Sequence, residues 1–280
     1  MTVFMSLLLG LVQGITEFLP ISSSGHLSIL QNLLNLGYSE ENNLLFTVLL
    51  HLGTLVSIIA VYRKEIQTML SDALEFFRMR ADSDVDEPVV LKPPARALLF
   101  VLVGTIPLIF VVFFTHTIER LFSHVGFIGF ALIITGGLLF VSDKYITKGN
   151  KTEKTMTLAD AIIIGLAQAA AVIPGLSRSG TTIAVGLARG LSGGFAVRFS
   201  LLLSIPAVLG AAVIELYKAI RAGVNFALFP IYLAGFIVAA VVGFFAIQFI
   251  RRLMKNGSFG KFAYYCWAIG AIVIVLSFIL

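Results

Sequence analysis

Residues 26–36 and 181–191 form apolar runs too short to cross a bilayer, and each follows directly on a proline and a Ser/Gly cluster. A transmembrane helix needs about 20 apolar residues, with a usual range of roughly 17–25. The runs 43–62, 96–115, 125–142, 195–217, 226–250 and 262–280 meet that length, whereas 3–19 and 158–173 sit at its lower edge and stop at Pro20 and Pro174. The pattern predicts that 3–19 with 26–36, and 158–173 with 181–191, fold as helix–loop–helix hairpins that enter and leave by the same face. Non-helical backbone at membrane depth is tolerated only where it is buried in protein or lines a wet cavity. The expected fold is therefore an all-α polytopic membrane protein with six transmembrane helices, two re-entrant hairpins and a cavity at the hairpin loops.

Composition agrees: 58% of residues are hydrophobic and only 12% charged, which excludes a soluble domain of this length. No basic face with interleaved aromatics is present, so no nucleic acid is expected as a partner. Cys266, the single cysteine, cannot form an internal disulfide and reads as a packing or lipid-facing residue. The N-terminal segment lacks a basic region and a small-residue cleavage site before Gln13 and Glu17, and is read as mature chain rather than a signal peptide.

The hairpins resemble each other. At an offset of 155, Gln13 falls on Gln168, Gly10-Leu11 on Gly165-Leu166, and Ser22-Ser23-Ser24-Gly25 on Ser177-Arg178-Ser179-Gly180. Downstream, Phe46–Leu50 matches Phe199–Leu203 more weakly and sets His51 opposite Ser204. The chain then divides into repeats of approximately 1–142 and 158–280 within one membrane domain. Each repeat holds one hairpin and three spans, and the odd number of spans turns the second repeat upside down. Such an inverted-topology repeat brings broken helix ends together near the midplane.

Loop charges orient the chain. If 63–96, 143–157 and 251–261 are cytoplasmic, they hold most of the 20 Lys and Arg residues, while the opposite loops hold Arg120, Lys218 and Arg221. The positive-inside bias then places both termini outside. The first hairpin enters from the outer face and the second from the cytoplasmic face, tip to tip. Residues 71–94, with Asp82, Asp84, Asp86, Glu87 and three prolines, read as a solvated cytoplasmic loop carrying no chemistry, with a short amphipathic helix at its start. Gly10-x-x-x-Gly14 and Gly186-x-x-x-Gly190 read as helix-packing pairs.

Gln13 and Glu17 share a helix face just before Phe18-Leu19-Pro20. An acidic residue inside a span costs roughly 2.5–3.5 kcal/mol on insertion scales and persists when it has a partner, an ion or a proton path. Ser22, Ser23, Ser24, Gly25 and His26 supply hydroxyls, a flexible backbone point and an imidazole, with the positive end of helix 26–36 aimed at the same place. Such a turn is often only a helix cap; His26 adds a group able to relay a proton or attack phosphorus. In Pro174–Thr182, Arg178 lies at a hairpin tip where it cannot snorkel, so it needs an anion. A guanidinium fork matches phosphate bidentately, and Ser177, Ser179, Gly180, Thr181 and Thr182 surround it. An ion pair between Arg178 and Glu17 that merely locks the hairpins is the competing reading; both readings bring the two residues close. His51 and Ser204 border the cavity or simply pack. His116 and His124 flank an outer loop with Glu119 and Arg120, and snorkelling accounts for Arg189, Arg198 and Glu215. Acidic residues at metal-ligand spacing are missing, so any divalent ion falls to Glu17 and substrate oxygens.

Gln13-x-x-x-Glu17-Phe-Leu-Pro-Ile-Ser-Ser-Ser-Gly-His26 resembles the first motif of the undecaprenyl-diphosphate phosphatase family, also called the bacitracin-resistance family. Pro174–Thr182 is similar to its second motif, PGxSRSxxT, at every fixed position, and the likeness extends over the whole chain. The resemblance implies hydrolysis of undecaprenyl diphosphate to undecaprenyl phosphate and phosphate, in the bacterial inner membrane, with the active site on the outer side. It implies functional roles for Glu17, Ser23, His26, Arg178, Ser177 and Thr182, and dependence on a divalent cation, Mg or Ca, held at Glu17. Gln13, Ser22, Ser24, Gly25, Ser179 and Gly180 complete the expected binding set. Ser23 or His26 attacks phosphorus, or one of them activates water; Ser23 is preferred. The expected partners are the polyprenyl diphosphate lipid and membrane lipid, with a homodimer as the assembly to test. The rival reading is a secondary transporter or lipid flippase, which shares the broken-helix architecture.

Overall fold

A computed structural model describes residues 1–33, 40–81, 90–114, 118, 120, 121, 124–143, 145, 149–222, 226–255 and 259–278. His116, Glu119, the acidic stretch 82–87, Pro88, and Lys144 and Lys148 lie outside the described residues. Among those described, the α-helices are α1 (Val3–Thr16), α2 (Ser23–Leu33), α3 (Glu40–Ala81), α4 (Pro93–Val111), α5 (Val125–Ser142), α6 (Leu158–Ala170), α7 (Arg178–Ala188), α8 (Gly193–Ala222), α9 (Phe229–Lys255) and α10 (Phe262–Leu276). Six of them, α3, α4, α5, α8, α9 and α10, are long and apolar enough to cross a membrane, which makes the chain an all-α polytopic membrane protein.

The short helices stop for local reasons. Thr2 caps α1, accepting from the Met5 amide at 3.2 Å. Pro20, which has no N–H to continue the ladder, and Ser22, whose φ of 70° is left-handed, then turn the chain. Thr157 and Asp160 form a capping box at the start of α6. Pro174 and Gly175, with φ of 92°, make the second turn. At 14 and 13 residues, α1 and α6 are each about 20 Å long, short of the ~30 Å hydrocarbon core.

The packing is exchanged between the halves. The first short helix, α1, lies along α9, and the second, α6, lies along α4; α3 contacts α9 and α8 contacts α4, while α5 pairs with α10. Glycines set the closest approaches. A Cβ on Gly10 would come within 3.0 Å of the Gly235 backbone, and one on Gly165 would meet the Gly104 backbone equally closely. Gly129 and Gly270 abut where α5 crosses α10. With no hydrophobic drive between helices in lipid, such backbone approach lets dispersion hold them together.

Three sequence expectations change. The helix α3 runs 42 residues, about 63 Å, so the short helix expected at the start of 71–94 is no separate element but the continuation of the span to Ala81. Residues 63–81 contain no Gly or Pro to stop it, and Lys92 ties its far end through Glu75 at 2.6 Å. Gly190 does not pack helices: with φ of 86° it ends α7. Arg189 and Arg198 do not merely snorkel. Arg189 donates to Asp160 at 2.9 Å, beside Lys151 at 2.8 Å, and Arg198 joins Glu65 at 3.2 Å to Glu153 at 2.5 Å.

Replacing Gly165 by valine is expected to cost about 1–3 kcal/mol by overpacking the α4–α6 crossing, seen as a lower melting temperature in detergent. Gly137, where an added Cβ meets nothing within 4 Å, is the control, and Gly137→Ala should leave the melting temperature unchanged. Equal losses at both positions would contradict this account of the crossing.

Candidate active site

The start of α7 lies against the loop that precedes α2, Ser179 and Gly180 meeting Leu19 and Pro20, and both helices begin with the same local bonds. Ser22 Oγ accepts from the Gly25 amide at 3.2 Å, and Ser177 Oγ accepts from the Gly180 amide at 3.1 Å. The His26 amide donates to the Ser22 carbonyl at 3.2 Å and the Thr181 amide to that of Ser177 at 2.8 Å. Ser179 Oγ donates across to the Leu19 carbonyl at 3.2 Å. From α5, Thr135 Oγ1 donates to the Gly175 carbonyl at 3.2 Å and accepts from the Ser177 amide at 3.1 Å, fixing the second loop.

Glu17, 6% exposed, is the hub. Arg178 Nη2 donates to its Oε1. Its Oε2 accepts from Gln13 Nε2 at 3.0 Å and from Ser23 Oγ at 2.6 Å. His51 Nε2, from α3, stands 3.8 Å from the same oxygen. His51 Nδ1 is 2.9 Å from the Thr47 carbonyl, which can only accept, so Nδ1 carries the hydrogen and Nε2 faces the carboxylate. The guanidinium has five donors, and Glu17 engages one nitrogen. Arg178, Ser23, Ser24, His26 and His51 are partly exposed, so the site is open on one side.

Gln13, Glu17, Ser23 and Arg178 are thus brought into direct contact. Several other expected binding groups are spent on structure. The Ser22 and Ser177 hydroxyls cap their helices, Ser179 bonds the first loop, and Thr182 Oγ1 donates to the Arg178 carbonyl at 2.8 Å and pairs with Ser200 Oγ at 2.6 Å. Ser24 Oγ is 3.4 Å from Ser22 Oγ, and a Cβ on Gly25 or Gly180 would press on the neighbouring serine. Ser204 is fully buried, its hydroxyl bonded to the Leu201 carbonyl, so it does not share the position of His51 at the site. Sequence reasoning missed Tyr265 of α10, whose hydroxyl is 2.8 Å from His26 Nε2; a tyrosine in an apolar run was its only signal.

For a divalent cation, the described residues contain no convergent group of three His, Cys, Asp or Glu side chains. One oxygen is unspent: Gln13 Oε1 is buried without a partner, and because its Nε2 must be the donor to Glu17, the orphaned atom is the carbonyl oxygen. Glu17 and Gln13 together suit a hard cation that arrives with most of its ligands on a substrate.

A buried carboxylate thus holds a serine hydroxyl on one oxygen and a guanidinium on the other, within an all-α polytopic membrane protein. The chain belongs to the bacitracin resistance protein BacA family, whose model matches residues 6–272. It is 40% identical over 281 residues to the undecaprenyl-diphosphatase of Carboxydothermus hydrogenoformans, covering 99% of this chain and 98% of that one. It is 39% identical over 279 residues to that of Alkaliphilus metalliredigens, covering 99% of both chains. The same name is carried by a Halothermothrix orenii protein 36% identical over 278 residues, 99% of each chain.

Removing one partner of a buried ion pair leaves an uncompensated charge, which typically costs about 3–5 kcal/mol. Arg178→Ala is therefore expected to lower the melting temperature sharply, and adding Glu17→Gln should recover most of the loss. A double variant no more stable than Arg178→Ala would show that the pair is not what holds the hairpins.

Proposed function

We propose that this chain hydrolyses undecaprenyl diphosphate to undecaprenyl phosphate and inorganic phosphate, a phosphoric anhydride hydrolysis that recycles the lipid carrier of cell-wall synthesis. The observation that carries the mechanism is the 2.6 Å bond from Ser23 Oγ to Glu17 Oε2. A weakly acidic hydroxyl becomes a nucleophile when a base is within hydrogen-bond reach and a third group orients that base. Glu17 is the base, and Gln13 and Arg178 orient it.

The polyprenyl tail lies in the bilayer and the diphosphate enters the open side of the site. Ser23 Oγ attacks the terminal phosphorus and its proton passes to Glu17. The bridging P–O bond breaks, and its electron pair leaves on the lipid phosphate. Protonation removes the charge on Glu17 that held Arg178, so the guanidinium is released to the phosphoryl oxygens as negative charge builds there. The positive N-terminal ends of α2 and α7 act in the same direction. In the second half, water attacks the phosphoserine and gives a proton to His26, while Ser23 recovers its own from Glu17.

Glu17, before it takes the serine proton, and Gln13 Oε1 would hold a divalent cation, Mg or Ca, which would supply charge neutralisation to the phosphate oxygens. Stripping such ions should lower the rate and adding them back should restore it. An unchanged rate after chelation removes the cation from the scheme.

The exchanged packing of α1 on α9 and α6 on α4, with its matched glycine contacts, supports two inverted repeats, 1–142 and 158–280, whose hairpins enter from opposite faces. The loop charges support termini on the outer side, and the family resemblance is what favours a site open to that side.

Purified protein in detergent, with no gradient, should release phosphate from the lipid diphosphate, and Arg178→Ala and Ser23→Ala should each lose nearly all activity. Acid-quenched enzyme should carry label on Ser23. Label on His26 would overturn the choice of nucleophile, and binding without phosphate release would favour a lipid carrier over a phosphatase.

A further inference from the structure

The two nitrogens of His26 are both engaged. Nδ1 is 2.7 Å from the Ser22 carbonyl, which only accepts, so Nδ1 carries the hydrogen. The neutral ring then has its lone pair on Nε2, and Tyr265 Oη lies 2.8 Å from it, so the phenol donates. The two rings stack, with centroids 5.7 Å apart and planes at 9°. Tyr265 is fixed in register by its surroundings: Cys266 Sγ contacts the Pro20 carbonyl at 3.7 Å, Trp267 Nε1 donates to the Ile133 carbonyl at 3.1 Å, and the Gly260 amide donates to Asp143 at 2.8 Å. The start of α10 is thus clamped to α5 and to the first loop, and the hydroxyl is delivered to one place.

We propose that Tyr265 is the positioning residue for His26 in the dephosphorylation half of the reaction. This rests on the phosphoryl-transfer scheme above. A hydroxyl can both donate and accept, which suits a histidine that changes protonation during turnover. While His26 is neutral, Tyr265 donates to Nε2 and holds the Nδ1–H tautomer. As water attacks the phosphoserine, one water proton goes to Nε2, the water oxygen bonds to phosphorus, and the P–Oγ bond of Ser23 breaks. Its electron pair stays on Oγ, which takes back the proton stored on Glu17. The phenol gives up the Nε2 lone pair to the water as it attacks, and the new Nε2–H then donates to Tyr265 Oη, so the contact re-forms with its direction reversed. Tyr265 touches neither phosphorus nor its oxygens in this account and acts through the imidazole. It is 40% exposed, so the phenol can yield to the attacking water without disrupting the core.

Tyr265→Phe keeps the ring and removes only the hydroxyl. The expected result is a kcat lower by about tenfold with KM within about twofold, since positioned acid–base groups contribute in the range of about 10²–10⁴ and Tyr265 supplies part of that. The decisive readout is the acid-quenched phosphoenzyme: slower dephosphorylation should raise the steady-state label on Ser23 above wild type while turnover falls. In the His26→Gln background the further change Tyr265→Phe should have no added effect on kcat, as expected for residues acting in series. If label in Tyr265→Phe is no higher than in wild type, or if the two substitutions multiply, the inference is overturned. Wild-type enzyme that never labels Ser23 but releases phosphate would instead defeat the choice of nucleophile on which it rests. A lower melting temperature alone cannot raise the label, which separates this role from simple packing.

Discussion

Glu17 and Arg178 come from helices that fail to cross the membrane, and each would be costly to bury without the other. Their pairing makes the two loops a single object. Ser179 bonds the Leu19 carbonyl beside it, and Thr135 and Cys266 reach the same loops from α5 and α10. A pair of opposite charges held only by each other would gain little from burial. Here the carboxylate also accepts from Gln13 and Ser23, so its lone pairs are satisfied, and the serine is held where a base can take its proton.

The rest of the fold serves that meeting point. Short helices stay at depth only when full-length neighbours bury them, and α9 and α4 do so for α1 and α6. The glycine contacts, Gly10 on Gly235 and Gly165 on Gly104, place backbone against backbone at equivalent points of the two crossings. Each short helix is thus carried by a long helix distant from it in sequence, α1 by α9 and α6 by α4. In the proposed inverted arrangement, a shift of one half against the other would therefore move both tips at once, which ties the geometry of Glu17 and Arg178 to the global packing.

Much of this was legible in the residues because the costs are local and large. A carboxylate before Pro20 and a guanidinium between two short apolar runs both demand partners, and they find each other. The helix start at Ser22 was readable as a cap. What the sequence hid depends on tertiary approach. His51 sits on a long helix where a packed imidazole and a site imidazole look alike, and only the placement of α3 beside α1 separates them. Tyr265 lies 239 residues from His26. A helix at the start of 71–94 was legible, but its continuity with the span before it was not, because the acidic and proline residues at 82–94 set the whole stretch apart from a run that lacks any breaker. The hydroxyls of Ser177, Ser179 and Thr182 look like phosphate donors in one dimension; in the fold, backbone groups and neighbouring hydroxyls claim them first.

The two imidazoles at the site show how one local geometry can be put to different uses. Both His26 and His51 sit on helices and turn Nδ1 toward the carbonyl four residues back, of Ser22 and Thr47. That contact fixes the same tautomer in each and leaves Nε2 as the working atom. What differs is the group opposite. A carboxylate cannot donate, so the Nε2 of His51 faces a group that only accepts, 3.8 Å away. A phenol can donate, so the Nε2 of His26 is satisfied while neutral and remains able to accept a proton when water is activated. The carboxylate and the phenol thus give one residue type two different surroundings, and that difference depends on α3 packing beside α1 and α10 reaching the loop that follows it.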